Sequence, residues 1–291
     1  MGDLISIRVA KKDLEKFNLN LNKQAQFTEL PPKGKYESLR CKIAEELIVV
    51  YNSGKIVFKN TAKLTHLMRD LLSIVTNYDS KIIIGSDEAG KGEWLGPLVV
   101  CAVCLNKNQT LFLQANGVID SKDLSPTRIQ ELAPLIKENS LATHCVPTHP
   151  KRFNELLQKL HDEQKTLDSM IAWAHSQAIS KVHDELTAKK IKADLILIDE
   201  FNRYITDIRL SRKIDPSLFE IIQKPHAEEN IAVACASILA KNYRETWINN
   251  KSEELKLDLR SLSPKSALDL AYVQHIAKVS YLKKITSIKS K

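Results

Sequence analysis

The chain has 291 residues, 43% of them hydrophobic, which is enough for two ordinary domains or one large one with a real core, and excludes disorder over most of its length. Lys and Arg number 43 against 35 Asp and Glu, giving a formal charge of +8 and a pI near 9.1; this suits a polyanionic partner, or simply a lysine-rich surface, and charge alone does not choose. The longest uninterrupted apolar run, Leu98 to Leu105, has eight residues and no basic, apolar, small-residue leader opens the sequence, so neither a membrane span nor a secretion signal is expected.

In chain order, an apolar stretch over Leu4 to Val9 and a helical segment over Lys11 to Phe17 lead into a polar loop ending at Pro31-Pro32-Lys33-Gly34. Glu46 to Tyr51, the turn Asn52-Ser53-Gly54 and Lys55 to Phe58 predict a β-hairpin. Leu64, Leu67, Met68, Leu71 and Leu72 give Thr61 to Val75 helical spacing. The polar segment Thr76 to Ser80 then breaks the pattern, which sets an expected boundary between a domain of residues 1–78 and one of residues 79–291.

Beyond it, Lys81 to Ser86 and Leu95 to Leu105 read as strands apolar on both faces. Helices are predicted over Pro126–Glu138, Pro150–Leu160 and Leu167–Lys190, strands over Ala193–Ile198 and Leu218–Gln223, and a helix over Asn230–Trp247. Strands followed by helices over this length make a single α/β domain, and Lys283 to Lys291 reads as a frayed tail. The five cysteines, Cys41, Cys101, Cys104, Cys145 and Cys235, form an odd set in apolar segments, which predicts packed thiols in a reducing, cytoplasmic setting. Cys101 and Cys104 stand three apart in a strand, on opposite faces, so they do not form a zinc site.

The sharpest chemical feature is acid where a core should be. Asp87-Glu88 ends the first buried strand and is followed by Ala89-Gly90-Lys91-Gly92; by itself this also fits a solvated acidic turn. Asp199-Glu200 ends a second such strand, and carboxylates delivered at the carboxyl ends of buried strands are where open α/β sheets place ligand sites. Glu245 is a third candidate, seven residues beyond Ile238 on the packed stripe of its helix, although periodicity equally allows it to pair with Lys241 outside the core. Carboxylates from separate elements can hold two hard cations such as Mg²⁺ or Mn²⁺, a pair that promotes phosphodiester hydrolysis.

At these residues the chain resembles a known family. Gly85 to Gly92 with Leu95-Gly96-Pro97-Leu98-Val99-Val100 is similar to the opening motif of the type 2/type 3 prokaryotic ribonucleases H. Asp120 to Ser125, Leu195 to Asp199 and Ala232 to Lys241 resemble the family's next three motifs, in family order. The resemblance implies an α/β ribonuclease H-like domain with a mixed central sheet flanked by helices. It also implies a type 3 arrangement, with a small α+β domain resembling the TATA-box-binding-protein fold ahead of it and Ser53 to Phe58 as its hairpin. Glu as the fourth acid is characteristic of type 3, and alignment from Ala240-Lys241 puts Glu245 there; Gly90-Lys91-Gly92 resembles the type 2 Gly-Arg-Gly as much as the type 3 Gly-Thr-Gly. No C-terminal Gly-Tyr-Gly-like segment follows, Tyr272 and Tyr281 are expected to pack, and the resemblance runs out over residues 250–291.

What the resemblance implies is an endoribonuclease that cuts the RNA strand of RNA–DNA hybrids with two Mg²⁺ or Mn²⁺ ions, leaving 5′-phosphate and 3′-hydroxyl ends. Asp87, Glu88, Asp199 and Glu245 are the implied ligands, Asp87 bridging both ions, while Asp120 and Glu200 are expected to be supporting. Gly90 and Gly92 let the backbone approach the minor groove, where a 2′-hydroxyl marks RNA. Lys91, Ser121, Lys122 and Lys241 are phosphate candidates, each of which can equally be a solvated lysine or a turn serine. The N-terminal domain is expected to bind substrate, and the chain to act as a monomer without a protein partner. Two rival readings remain, a type 2-like enzyme incising at embedded ribonucleotides and a non-catalytic hybrid-binding protein.

Overall fold

A computed structural model describes residues 4–76, 80–200 and 202–288. Residues 77–79, inside the expected boundary segment, and the tail residues 289–291 lie outside the described residues. The chain divides into two compact units, residues 1–81 with 106–119, and residues 82–105 with 120–291.

The first unit is built on a five-stranded antiparallel sheet. Its elements are β1 (Leu4–Arg8), α1 (Leu14–Asn22), β2 (Phe27–Leu30), β3 (Glu37–Ile43), β4 (Glu46–Tyr51), β5 (Lys55–Lys59) and α2 (Ala62–Val75). The strand order is β1-β5-β4-β3-β2. The expected hairpin is β4–β5, and α2 starts where Thr61 accepts a hydrogen bond from the Leu64 N–H, an N-cap that satisfies a donor the helix itself leaves free. Two strands, β2 and β3, lie in what reads as polar loop and its continuation; β2 alternates only weakly, with Glu29 between Phe27 and Leu30, so periodicity does not reveal it. The helix α3 (Lys107–Ala115), opened by a reciprocal Asn106–Gln109 capping box, also belongs to this unit, with Leu111 and Ala115 in the same core as Phe17, Ile56, Phe58 and Leu64.

The second unit is a mixed sheet between helices. It contains β6 (Ile83–Ala89), β7 (Leu98–Leu105), α4 (Pro126–Glu138), β8 (Ala142–Thr148), α5 (Pro150–Asp162), α6 (Leu167–Ala188), β9 (Leu195–Asp199), α7 (Arg203–Leu210), β10 (Glu220–Lys224) and α8 (Ile231–Leu255). Three short helices, α9 (Pro264–Leu268), α10 (Val273–Ile276) and α11 (Val279–Ile288), complete it. The strand order is β10-β9-β6-β7-β8, with β10, β9 and β6 parallel to one another, β7 antiparallel to β6 and β8 antiparallel to β7. The sheet follows the period of two. Ile84, Ile196 and Ile198 pack with Ala174, Ala178, Ile179 and Val182 of α6, whereas Leu197 packs with Val233 of α8 on the other face.

Helix α8 can approach β6 so closely because its first turns are small, Ala232, Ala234 and Ala236, and because Gly85 lacks a side chain. A Cβ on Gly85 would lie 2.3 Å from the Ala232 carbonyl carbon. Three expectations are corrected. Cys101 and Cys145 are opposite one another in the β7–β8 register and form a disulfide, while Cys41, Cys104 and Cys235 are buried free thiols; β8 was not foreseen, so its cysteine had no visible partner. Residues 283–288 are not tail but the end of α11, whose Leu282 is buried against Leu259 and Ile276. And α8 runs to Leu255, beyond the expected end at Trp247.

Candidate active site

Sheet geometry brings the acids together. The β6–β9 register pairs Ser86 with Ile198, so the next step puts Asp87 beside Asp199, and the twofold period turns both toward α8 while Glu88 turns toward α6. Each acid then finds different partners.

Asp87 is half-buried beside α8, where the Glu88 N–H donates to it at 2.7 Å and the Ser237 hydroxyl favours its charged form. Burial, with the Glu88 and Asp199 charges adding to it, pushes its pKa up to about 7 despite those donors. Burial also works against the Glu88 charge, but His175 and Lys91 outweigh it and hold Glu88 below the usual carboxylate range. His175, fully buried on α6, has Nε2 3.2 Å from Glu88 Oε2 and Nδ1 2.7 Å from Ser86 Oγ, so one imidazole ties the strand end to the helix behind it. Lys91 Nζ lies 3.5 Å from Glu88 Oε1. Asp199 is raised by burial and by Glu228 and Glu88, against the Ala227 N–H that donates to its Oδ1 at 3.1 Å.

The fourth carboxylate of this group is Glu228, not Glu245. Glu228 is 7% exposed in the turn before α8, its Oε1 accepts from Lys122 Nζ at 2.7 Å, and its buried Oε2 has no hydrogen-bond partner. Glu245 is about four turns along α8 from its start at Ile231 and is held by Arg244 and by Arg260, whose Nη2 lies 2.6 Å from its Oε2, so these two guanidiniums, rather than the acids of β6 and β9, surround it. Nor does it pair with Lys241, the other possibility that periodicity left open.

A signal for Glu228 was in the sequence. β10 is a third parallel strand, and Glu228 follows its carboxyl end at Lys224 by four residues, the layout of Asp87 and Asp199 repeated. Glu-Glu-Asn also looks like the polar lead-in to a helix, which it is: Asn230 caps α8 by accepting from the Ala232 N–H at 2.9 Å.

The substrate candidates divide. Ser121 is buried, 2% exposed, with its Oγ 2.8 Å from Ser237 Oγ; it packs against the serine beside Asp87 and is not exposed to meet a phosphate. Lys122 is exposed but engaged with Glu228, which raises its pKa. Lys241 is half-buried, and desolvation lowers its pKa although Asp120 and Asp87 act against this. Gly90 and Gly92 take positive φ of 89° and 80°, and a Cβ on Gly90 would lie 2.3 Å from the Pro97 carbonyl oxygen. Asp120 caps its own turn by accepting from the Lys122 N–H, and Glu200 pairs with Arg203 at 3.3 Å.

Among the described residues no three acidic, histidine or cysteine side chains form a ready-made metal site. Each carboxylate is instead turned to a local donor. The donor set still fits hard divalent cations: it is all oxygen, it includes the buried unpartnered Oε2 of Glu228, and burial, with like charges crowded beside it, drives Asp87 up.

Acids delivered by adjoining strands of a mixed sheet, between flanking helices, define a metal-dependent nuclease of the ribonuclease H-like fold. The family model for ribonuclease HII matches residues 84–266, and the chain belongs to that family. It is a metal-dependent ribonuclease H, an endonuclease acting on RNA–DNA hybrids. A ribonuclease HIII from Protochlamydia amoebophila is 32% identical over 222 residues, 72% of this chain and 69% of that protein. One from Staphylococcus aureus is 28% identical over 260 residues, 80% of this chain and 78% of that protein. The crystal structure of Bst ribonuclease HIII in complex with Mn²⁺ covers 98% of this chain and 99% of its own at a TM-score of 0.63 and 22% identity, a likeness of fold. Among the described residues no helix is long and apolar enough to cross a membrane.

Proposed function

We propose that the chain hydrolyses the RNA strand of RNA–DNA hybrids at Asp87, Glu88, Asp199 and Glu228, with two Mg²⁺ or Mn²⁺ ions, in the cytoplasm. The observation that carries the site is the convergence of Asp87 and Asp199 on one face of the sheet with Glu228 beside Asp199. When bound, the divalent pair supplies an activated water and neutralises charge on the leaving oxygen. The protein's own groups do the rest. Asp87 sits centrally, facing Glu88 and Asp199, which suits it to share both ions. His175 and Ser237 fix the orientations of Glu88 and Asp87 from opposite sides of the sheet, so little reorganisation is needed when the acids take up ligation. Gly92 is exposed with open space around it, so the turn can lie against the ribose there, and Lys91, Lys122 and Lys241 supply positive charge for phosphates.

We assign substrate binding to the first unit. Lys35 and Tyr36, both exposed between β2 and β3, support this, with the Lys35 ammonium 5.2 Å from the Tyr36 ring centre. A cation on an aromatic face at a loop tip suits a nucleic-acid backbone. The deciding experiment compares Mg²⁺- and Mn²⁺-dependent cleavage of a uniform RNA–DNA hybrid with that of a duplex carrying one ribonucleotide. Multiple cuts along the RNA strand of the hybrid, with poor incision of the single-ribonucleotide duplex, are expected. Incision confined to the single ribonucleotide would replace this reading with the type 2-like one, and no cleavage of either would leave a binding protein.

A further inference from the structure

The segment just after the glycine turn is held by a part of the chain whose role the sequence does not reveal. Gly96 N–H donates to the Ile276 carbonyl at 3.0 Å, Lys278 N–H donates to the Trp94 carbonyl at 2.7 Å, and Leu95 and Ala277 form an antiparallel bridge between these contacts. Two side chains extend this backbone pairing. Lys278 Nζ donates to the Gly96 carbonyl at 2.7 Å, and the Tyr281 oxygen faces the backbone N–H of Gly92 closely enough for that amide to favour its ionised form. From the other side, Arg244 of α8 donates to the Leu95 carbonyl at 3.1 Å and pairs with Glu93.

Lys278 is the unusual member. It is fully buried, with its Nζ 5.6 Å from the Phe153 ring centre, and a charged ammonium is costly to take out of water. Packing alone would be better served by Leu or Met. A donor at this point has an evident use, because Gly96 turns with a positive φ of 76° and its carbonyl would otherwise lack a side-chain donor inside the core. Tyr281 shows the same division: its ring centre lies 5.9 Å from that of Phe153, while its oxygen faces the amide of Gly92, the residue after Lys91.

We propose that Lys278 and Tyr281 are positioning residues that clamp Gly92–Gly96, and through it the Gly90–Gly92 turn, in the conformation that receives the RNA strand. The inference rests on the reading of that turn as the ribose contact. It gives the C-terminal segment 276–281 a function in substrate affinity, although none of its side chains touches the acids in the proposed site. Free of the clamp, the turn would sample other conformations and binding would carry the entropy of ordering it again.

The test uses the full chain and two substitutions that keep shape and remove the polar atom, Lys278→Met and Tyr281→Phe. Steady-state cleavage of an RNA–DNA hybrid is expected to show KM raised about tenfold in Lys278→Met and about threefold in Tyr281→Phe, with kcat changed less than about twofold. Hydrogen–deuterium exchange is expected to rise at residues 90–96 and to stay unchanged at residues 195–199. An unaltered KM in both variants, or a fall in kcat at constant KM, overturns the proposal, and so does unaltered exchange at residues 90–96. Should Lys278→Met fail to fold, Tyr281→Phe decides by the same two readouts. If the wild-type chain cleaves no hybrid, the functional reading fails separately, while the exchange data still decide whether the clamp exists.

Discussion

Asp199 Oδ1 accepts the backbone N–H of Ala227 at 3.1 Å, and this one bond seats the residue after Ala227, Glu228, beside the carboxylate that ends β9. The turn also stands at the amino end of α8, where the helix dipole favours negative charge. Glu228 is thereby kept ionised in a buried position, its pKa lowered because Lys122 more than offsets the burial that raises it.

The two candidates for the fourth acid separate cleanly by substitution. Glu228→Gln removes a charge from the group around Asp87 and Asp199 and is expected to lower hybrid cleavage at least about a hundredfold and to weaken Mn²⁺ binding in a calorimetric titration. Glu245→Gln loosens only the Arg244 and Arg260 contacts and should leave turnover within about threefold. The reverse ranking would return Glu245 to the site.

Asp87→Asn and Asp199→Asn each remove one charge from a site that has to hold two dications. Cleavage should fall by about three orders of magnitude or more, with hybrid affinity changed little, since the proposed ribose and phosphate contacts lie elsewhere. Gel-shift affinities and single-turnover rates measured on the same preparations distinguish the two effects; turnover near wild type in both Mg²⁺ and Mn²⁺ would remove that residue from the ligand set.

What was legible in the sequence follows from which signals are local. β6 and β9 announce themselves as apolar runs because both of their faces are covered, and their terminal acids stand out for the same reason. The hairpin β4–β5 and helix α2 carry turn and cap residues within a few positions. β8 does not, since Ala142–Thr148 alternates with His144 and Pro147 in an ordinary partly exposed pattern. α3 was hidden because it follows an apolar strand and its stripe of Leu111 and Ala115 is narrow. Periodicity leaves Glu245 equally able to pair with Lys241, and the alignment from Ala240-Lys241 that favours it carries no information on height along the helix axis. Glu228 depends on where a third strand ends, which no single-element pattern reports. Ser237 and His175 were invisible as site residues because each looks like a small or polar interruption in a buried helix until the strand beside it is placed.

The glycine turn should rank its own substitutions. Gly90→Ala meets both a positive φ of 89° and the Pro97 oxygen at 2.3 Å, whereas Gly92→Ala meets only the positive φ of 80°, with open space around its Cβ. Backbone strain of this kind costs about 1–3 kcal/mol at each position, so hybrid cleavage is expected to suffer most in Gly90→Ala and less in Gly92→Ala. Lys91→Ala should weaken binding least and reduce the slope of log affinity against log salt by about one phosphate's worth, without making DNA–DNA duplex a substrate. Silent glycine variants beside a severe Lys91→Ala would mean that the side chain, not the backbone, reads the RNA strand.

Removing the first unit by deleting the N-terminal residues is not a clean experiment, because α3 belongs to that unit's core and would be left with Leu111 and Ala115 exposed. Such a truncation is expected to lose thermal stability or aggregate. The double substitution Lys35→Ala with Tyr36→Ala avoids this, since both side chains are exposed. It should raise KM for the hybrid about three- to tenfold at unchanged kcat. A fall in kcat with KM unchanged would show that the first unit does more than bind.

Lys278 makes stability depend on pH in an unusual window. Burial, with Arg244 adding to it and Glu93 opposing, brings its pKa from 10.5 down to about 7. The folded state therefore prefers the neutral amine, and between about pH 7 and 10.5 the unfolded chain binds more protons at this position than the folded one. Stability from this group rises as pH rises through that interval, and below about 7 the amine is protonated in both states and the burial penalty is paid in full. Other groups titrate in the same range, Tyr281 among them with its pKa raised by burial, so the signature is a difference between two proteins rather than a single curve. Denaturant midpoints measured from pH 6 to 10 should show wild type gaining on Lys278→Met steadily as pH increases, because Met carries no proton to lose. A constant difference across that range would mean that Lys278 keeps an ordinary pKa in the fold, with its ammonium hydrated rather than held against Gly96 and Phe153.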